Sequence, residues 1–183
     1  GIDTPGYIKP TITFSDFYSY DLDGLEIQFF HAPGETDDQL FVWIPKYKAL
    51  MPGDNIYKAF PNIYTIRGTT YRSFKSWYTS LEKMMALEPE ILIPSHGTPI
   101  NGKEEILRVL SNYRDAIKYV HDQMMRNLNS GNSPLEAARK IKLPENLARD
   151  PHLFELYGTI EWSARNLFNG YFGWFDGNPT NLY

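Results

Sequence analysis

The 183-residue chain contains no cysteine, and this one absence excludes disulfides, thiolate zinc sites and cysteine nucleophiles together. Any metal bound here must be held by histidine and carboxylate groups. An excess of one charge is also lacking: 18 Lys and Arg stand against 22 Asp and Glu, a formal net charge of -4. That balance leaves no basic footprint for nucleic acid and no polybasic patch for a membrane surface. Long hydrophobic runs are missing too, since none approaches the roughly 20 apolar residues needed to span a bilayer. Residues 1–10 carry no charged-then-apolar leader pattern. Histidines number four, few enough to weigh singly. What the chain has is apolar mass, 42% hydrophobic and 15% aromatic, which supports a real core in one domain or slightly more.

Period-two alternation at Leu25, Ile27 and Phe29 predicts a half-buried strand. Asp23-Gly24, between Phe17–Leu22 and Leu25–Phe30, predicts a tight hairpin. Thr11–Phe14 reads as a further strand, and Leu40–Ile44 with Tyr47–Met51 as a strand pair about Pro45-Lys46. The result is an antiparallel meander closed by Pro52-Gly53-Asp54-Asn55, after which an irregular or helical piece runs to Arg67-Gly68. Phe74, Trp77, Leu81, Met84 and Met85 recur at helical spacing, so Thr70–Leu87 is expected to hold an amphipathic helix ending before Pro89. Ile91–Ile93 is a short buried strand. From Asn101, set three residues before Glu104 as an N-cap, the seam Ile106, Leu110, Tyr113, Ile117, Val120 and Met124 predicts a long helix that stops at Asn129. Ser133-Pro134-Leu135-Glu136 is a capping box for a short helix ending near Pro144, and Asp150-Pro151 and Thr159 open two further helical pieces. An aromatic-rich end, with Tyr171, Phe172, Trp174 and Phe175, precedes a turn at Asp176–Pro179. The class is α/β with a helical extension, the boundary falling near Gly102.

The stretch Phe30–Gln39 places His31, Glu35, Asp37 and Asp38 on a loop at the end of a strand, where a rigid sheet can aim side chains at one point. Carboxylates after a Pro-Gly turn are equally at home as solvated loop residues. Pro94-Ser95-His96-Gly97-Thr98-Pro99 repeats the design, with an imidazole on a loop stiffened by two prolines. His96 is therefore the strongest metal-ligand candidate of the four histidines. His121 reads as a packing or subunit-contact residue on the long helix, and His152 as a solvated or capping residue beside Asp150. Arg67, just before Gly68, offers a planar fork suited to a tetrahedral oxyanion, or else is an ordinary surface arginine.

Taken in order, HAPGETDDQ, PGDNIYKAFPNIYTIRG, IPSHGTP, NYRDAIKYVHDQ and YFGWFDGNP resemble the alkyl sulfatases of the metallo-β-lactamase superfamily through nearly all of the chain. The resemblance implies part of a metallo-β-lactamase-type αββα sandwich followed by an all-helical region. Residues 1–101 would be the C-terminal half of the catalytic domain, and residues 102–183 the N-terminal part of the alkyl-sulfatase dimerisation domain. It also implies hydrolysis of an alkyl sulfate to an alcohol and inorganic sulfate at two zinc ions, in a homodimer. Residue by residue, Glu35 matches the carboxylate that completes one zinc site and His96 the histidine that completes the other. Asp54 falls where the family places a bridging carboxylate, often Glu, and Arg67 matches the arginine that holds the sulfate group. A one-residue slip, Pro-Gly-Thr-Glu in common forms against Pro-Gly-Glu-Thr here, makes Asp37 a rival to Glu35. The His-x-His-x-Asp-His motif, which supplies most of the family's zinc ligands, is not in these residues. The chain is therefore expected to be a piece of a longer enzyme, to bind zinc weakly and to hydrolyse nothing alone. A periplasmic or secreted location is expected ahead of a cytoplasmic one. Two other readings stand beside this one: a zinc hydrolase of the same superfamily acting on a thioester, lactam or phosphoester, and a non-catalytic module whose helices assemble dimers.

Overall fold

A single sheet of six strands in chain order carries the N-terminal part of the protein: β1 (Phe17–Leu22), β2 (Leu25–His31), β3 (Leu40–Ile44), β4 (Ala49–Met51), β5 (Ile91–Leu92) and β6 (Ile100–Asn101). The structure is a computed structural model and describes residues 6, 8–64, 69–175 and 178–181. Neighbouring strands are antiparallel except β4 and β5, which run parallel. A parallel pair needs a crossover, and helix α1 (Phe74–Ala86) lies within it. The β1–β2 hairpin turns on Asp23 and Gly24 at φ 51° and 85°, both positive as the turn's twist demands, with Leu22 facing Leu25. Asp21 Oδ1 accepts the Gly24 N–H at 2.9 Å and holds the turn.

Alternation sorts the side chains between two faces. Phe30, Phe41, Trp43, Leu50 and Leu92 share the inner face through the registers Phe30–Phe41, Trp43–Leu50 and Leu50–Leu92, and the Phe30 and Phe41 rings stack with centroids 4.8 Å apart. Against them pack Trp77, Leu81 and Met84 of α1 and Ile106, Leu110, Tyr113 and Ile117 of α2 (Lys103–Asn129), in one buried core. That core continues without a break past Gly102 into α3 (Pro134–Lys140), α4 (Glu145–Ala148) and α5 (Ile160–Phe172). On the other face Tyr18, Tyr20, Phe29 and Leu40 line a shallow apolar groove with Ile12 and Phe14. The class is α/β, and the layers present are one sheet with helices on its inner face, part of the αββα order that the resemblance implies. No helix among the described residues is long and apolar enough to cross a membrane.

Several local expectations are met. The Ser133 capping box forms, with Glu136 Oε2 accepting the Ser133 N–H at 3.0 Å and Ser133 Oγ accepting the Glu136 N–H at 3.4 Å. Others need correction. Thr11–Phe14 is not a strand: Phe14 is held by the rings of Tyr18 and Phe29 rather than by a ladder. Tyr47 and Lys48 are not in β4, because Pro45–Tyr47 winds into a 3-10 turn and Lys48 takes φ 45°. Ile93 lies just past the end of β5, although its N–H still donates to the Leu50 carbonyl at 2.8 Å. Asn101 does not cap α2; it ends β6, a strand the sequence pattern did not announce, and Gly102 at φ 97° is the N-cap. The short helix α4 past Pro144 was likewise not expected.

Asp150 ties the 3-10 turn Pro151–Leu153 to α2. Its side chain is only 1% exposed and accepts from Arg108 Nη1 at 2.7 Å, Asn112 Nδ2 at 2.7 Å and the His152 N–H at 2.9 Å. Burial favours the neutral acid, yet the hydrogen bonds from Asn112, His152 and Arg108 together outweigh it and hold the carboxyl below the usual aspartate range. A depressed folded-state pKa contributes stability that is present above the unfolded value, about 3.9, and is lost as pH falls through the folded one. The replacement Asp150→Asn is therefore expected to cost about 2 kcal/mol at pH 7. The gap to the parent chain should close below about pH 4; urea unfolding at several pH values reads both.

Candidate functional site

Three separate segments meet at one rim of the sheet. The loop after β2 brings Glu35, the 3-10 turn Gly53–Asn55 after β4 brings Asp54, and the loop after β5 brings His96. All three line one cavity of about 550 Å³, together with Tyr57, Lys58 and Tyr157.

The Glu35 loop is closely held. Ala32 N–H donates to the Gln39 carbonyl at 2.8 Å, and Ser80 Oγ on α1 donates to the Pro33 carbonyl at 2.8 Å. Asn55 Oδ1 accepts the Glu35 N–H at 3.2 Å. The Glu35 carboxylate, 13% exposed, lies 3.0 Å from Nη1 of Arg72, itself 6% exposed. Arg72 also donates to the Asn62 carbonyl. Its Nε is buried and has no hydrogen-bond partner among the described residues. Asn62 N–H donates in turn to the Tyr57 hydroxyl at 2.6 Å. Burial, and after it the Glu35 carboxylate, pushes the Tyr57 phenol well above its ordinary pKa; burial does the same to Tyr113, whose ring meets Tyr57 edge-on. Both phenols are neutral at any physiological pH and cannot serve as bases; the Tyr57 hydroxyl accepts from Asn62, and the Tyr113 hydroxyl is buried without a hydrogen-bond partner among the described residues.

His96 Nδ1 stands 2.8 Å from Asp54 Oδ1, with the imidazole 72% and the carboxylate 37% exposed. A carboxylate can only accept, so Nδ1 carries the proton and Nε2 is the ring nitrogen whose lone pair can face a metal. Fixing the tautomer in this way is what a metal-binding histidine requires. In kind, one imidazole and two carboxylates on a shared cavity suit zinc. In number they do not: among the described residues no three His, Asp or Glu groups lie close enough to hold a metal ion.

The remaining candidates go elsewhere. His31 Nε2 is 2.7 Å from the Asp37 carbonyl and braces its own loop, while Asp38 accepts from Thr36 Oγ1 at 2.6 Å. His121 sits between Asp122 and the Tyr171 hydroxyl, at 2.8 and 3.2 Å, on the contact of α2 with α5. His152 Nδ1 faces Asp150 at 3.2 Å. Arg67 lies outside the described residues. Sequence reading passed over Asn55, Tyr57, Arg72 and Tyr157. Asn55 and Tyr57 follow Asp54 closely enough to be guessed by adjacency, but nothing local marks Arg72 or Tyr157. Tyr157 reaches the cavity because Phe60 N–H donates to the Phe154 carbonyl at 2.9 Å and Gly158 N–H to the Phe60 carbonyl at 3.2 Å. A Cβ at Gly158 would stand 2.1 Å from the Pro61 carbonyl oxygen, so only glycine allows this approach.

Comparison with known proteins places names beside this geometry. The sequence model of the metallo-beta-lactamase superfamily matches residues 4–96, and that described as alkyl sulfatase dimerisation matches residues 133–183. A linear primary-alkylsulfatase from a Pseudomonas species is 40% identical over 178 residues, 96% of this chain and 34% of that one. The alkyl/aryl-sulfatase of Saccharomyces cerevisiae is 28% identical over 180 residues, covering 96% and 28%. The solved structure of a stereoselective inverting sec-alkylsulfatase from Pseudomonas sp. superposes with a TM-score of 0.88 at 27% identity, again over 96% of this chain and 28% of that one. The chain thus spans about a third or less of the length of these relatives.

The geometry separates the burdens of two site residues. Replacing Arg72 by Met leaves the Glu35 carboxylate buried beside an apolar side chain and is expected to cost about 3 kcal/mol. Replacing the exposed His96 by Ala should cost less than about 0.5 kcal/mol. Equilibrium urea unfolding of the two variants checks the contrast.

Proposed function

The chain belongs to the metallo-beta-lactamase superfamily, and from that premise we propose that it is part of an enzyme hydrolysing alkyl sulfate esters to an alcohol and inorganic sulfate. The observation that carries the reading is the convergence of Glu35, Asp54 and His96, from three separate segments, on one cavity. The names of the similar sulfatases support the substrate class. Zinc would be held by these three side chains together with ligands that the chain does not contain, two ions being expected in the whole enzyme. When bound, zinc lowers the pKa of a coordinated water and offsets charge gathering on the sulfate.

The chain's own groups have distinct parts in this reading. Arg72 pairs with Glu35 and fixes its orientation. Asp54 accepts from His96 Nδ1, which leaves the Nε2 lone pair available to a metal. Arg67, by its match to the family pattern, and Lys58, on the cavity wall, meet the sulfate oxygens as cations. Tyr57 and Tyr157, whose rings meet edge-on at 6.0 Å, offer an apolar surface to the alkyl chain. Residues 133–183, matched to a dimerisation region, would join two copies of the protein.

An enzyme that carries this chain together with the His-x-His-x-Asp-His segment is expected to release inorganic sulfate from octyl sulfate faster than it opens a lactam or cleaves a thioester. Asp54→Ala and His96→Ala should each lower kcat/KM at least about a hundredfold, and the present chain alone should release none. Sulfate quantified by ion chromatography is the readout; turnover that ignores both substitutions would sink the proposal, and preference for the lactam or thioester would redirect it.

A further inference from the structure

The cavity wall that carries Tyr57 and Lys58 belongs to residues 56–64, a run with no helix or strand of its own. Ile56, Phe60 and Ile63 are almost fully buried, so the backbone around them must find its hydrogen bonds on neighbouring elements. The helical region supplies several. Phe60 exchanges main-chain bonds with the loop before α5, donating to the Phe154 carbonyl at 2.9 Å and accepting from the Gly158 N–H at 3.2 Å. Asn166, inside α5, then donates from Nδ2 to the Ile63 carbonyl at 2.8 Å, a bond that spans 103 residues of sequence. One turn earlier on the same face of α5, the Trp162 ring leans on the Tyr64 ring with centroids 5.3 Å apart.

The residue before Ile63 is where this hold meets the site. Asn62 N–H donates to the Tyr57 hydroxyl at 2.6 Å, and the Asn62 carbonyl accepts from Arg72, the partner of Glu35. The Ile63 carbonyl is thus pinned one peptide away from the group that Tyr57 and Arg72 share. The bonds at Phe60 join main chain to main chain, whereas the bond at Ile63 depends on one amide side chain. That side chain lies within the residues matched to alkyl sulfatase dimerisation, and the wall it holds lies within those matched to the metallo-beta-lactamase superfamily.

We propose that Asn166, with Trp162 beside it, is a positioning residue of the cavity, holding the wall in place through Ile63 and Asn62 and so setting where Tyr57 and Lys58 stand. The hold itself is a property of this chain and needs neither metal nor substrate. What it does for a substrate rests on the sulfatase reading above: a wall that moves presents Lys58 and the Tyr57 ring poorly, and binding weakens.

Hydrogen-exchange mass spectrometry tests the hold on the chain itself. Asn166→Leu removes the donor at similar volume, and exchange of residues 56–64 is expected to rise at least about threefold while residues 25–44 exchange as in the parent. Asn166→Gln keeps an amide donor and should return most of the protection. Ser133→Ala, which removes the α3 cap in the same helical region, controls for general loss of stability and should favour neither stretch. If Asn166→Leu does not fold by circular dichroism, Asn166→Ser serves in its place. Unchanged exchange at 56–64, or an equal rise in both stretches, overturns the proposal. The effect on substrate is read in an enzyme that carries this chain together with the His-x-His-x-Asp-His segment. There Asn166→Leu should raise KM for octyl sulfate at least about threefold with kcat held within about twofold, and Asn166→Gln should stay near the parent. A KM that does not move while exchange rises overturns the role in the site. If that parent enzyme releases no sulfate, the sulfatase reading fails and takes the substrate role with it, while the exchange contrast still decides whether α5 holds the wall.

Discussion

A carboxylate almost out of contact with water is a costly object, and the rim of this sheet is built around pairing one with a cation. Glu35 is paired with a guanidinium that is more deeply buried than itself. Neither charge would be tolerable there alone, because desolvation of an isolated ion costs far more than a fold can offset. The pairing fixes more than one side chain. Arg72 precedes α1 by two residues and reaches the Asn62 carbonyl; Asn62 in turn donates to the Tyr57 hydroxyl, and Tyr57 lines the cavity. The loop after β2, the segment around Asn62 and the start of α1 are therefore coupled through Arg72. A shift in any of them would pull the Glu35–Arg72 pair apart.

This dependence explains which parts of the protein were legible in the sequence. The Asp23-Gly24 hairpin, the Ser133 capping box and the α1 and α2 seams are each set by a few neighbouring residues, so their patterns are local and readable. Asn101 misled because its cap spacing is also local, whereas strand pairing is not: Ile91 pairs with Asn101, and Gly102 N–H donates to the Glu90 carbonyl at 2.9 Å, which draws the residue into β6. Thr11–Phe14 misled for the opposite reason. Its composition suits a strand, but no ladder among the described residues receives it.

The site divides along the same line. Glu35, Asp54 and His96 stood out because each sits in a short, ordered motif at the end of a strand, and the structure brings them to one cavity. Asn55 and Arg72 bear on the same cavity through bonds that cross long stretches of sequence, such as Asn55 to Ala32 and Arg72 to Glu35. No spacing rule announces such bonds, since the only constraint is that buried polar groups find partners somewhere. The bland reading of Pro33-Gly34 as a turn was correct and incomplete: it is a turn whose glycine also makes room for a side chain from another segment.

The helical part of the chain is not an appendage to this arrangement. Backbone bonds from residues 60 and 158 sew its Phe154–Gly158 loop onto the cavity wall, and Tyr157 then stands edge-on to Tyr57. The core beneath is continuous, with Trp77 and Leu81 of the sheet-side layer in the same cluster as Leu110, Tyr113 and Leu167. Two kinds of control over one cavity follow from the geometry. Arg72 and Asn55, which hold the Glu35 loop, are buried and bonded, so change there disturbs the fold along with the site. Tyr157 is about half exposed, at 53%, and its ring rests on a loop held by main-chain bonds. Its side chain is thus held on the cavity wall by main-chain bonds and by its edge-on contact with Tyr57, not by the polar network around Glu35.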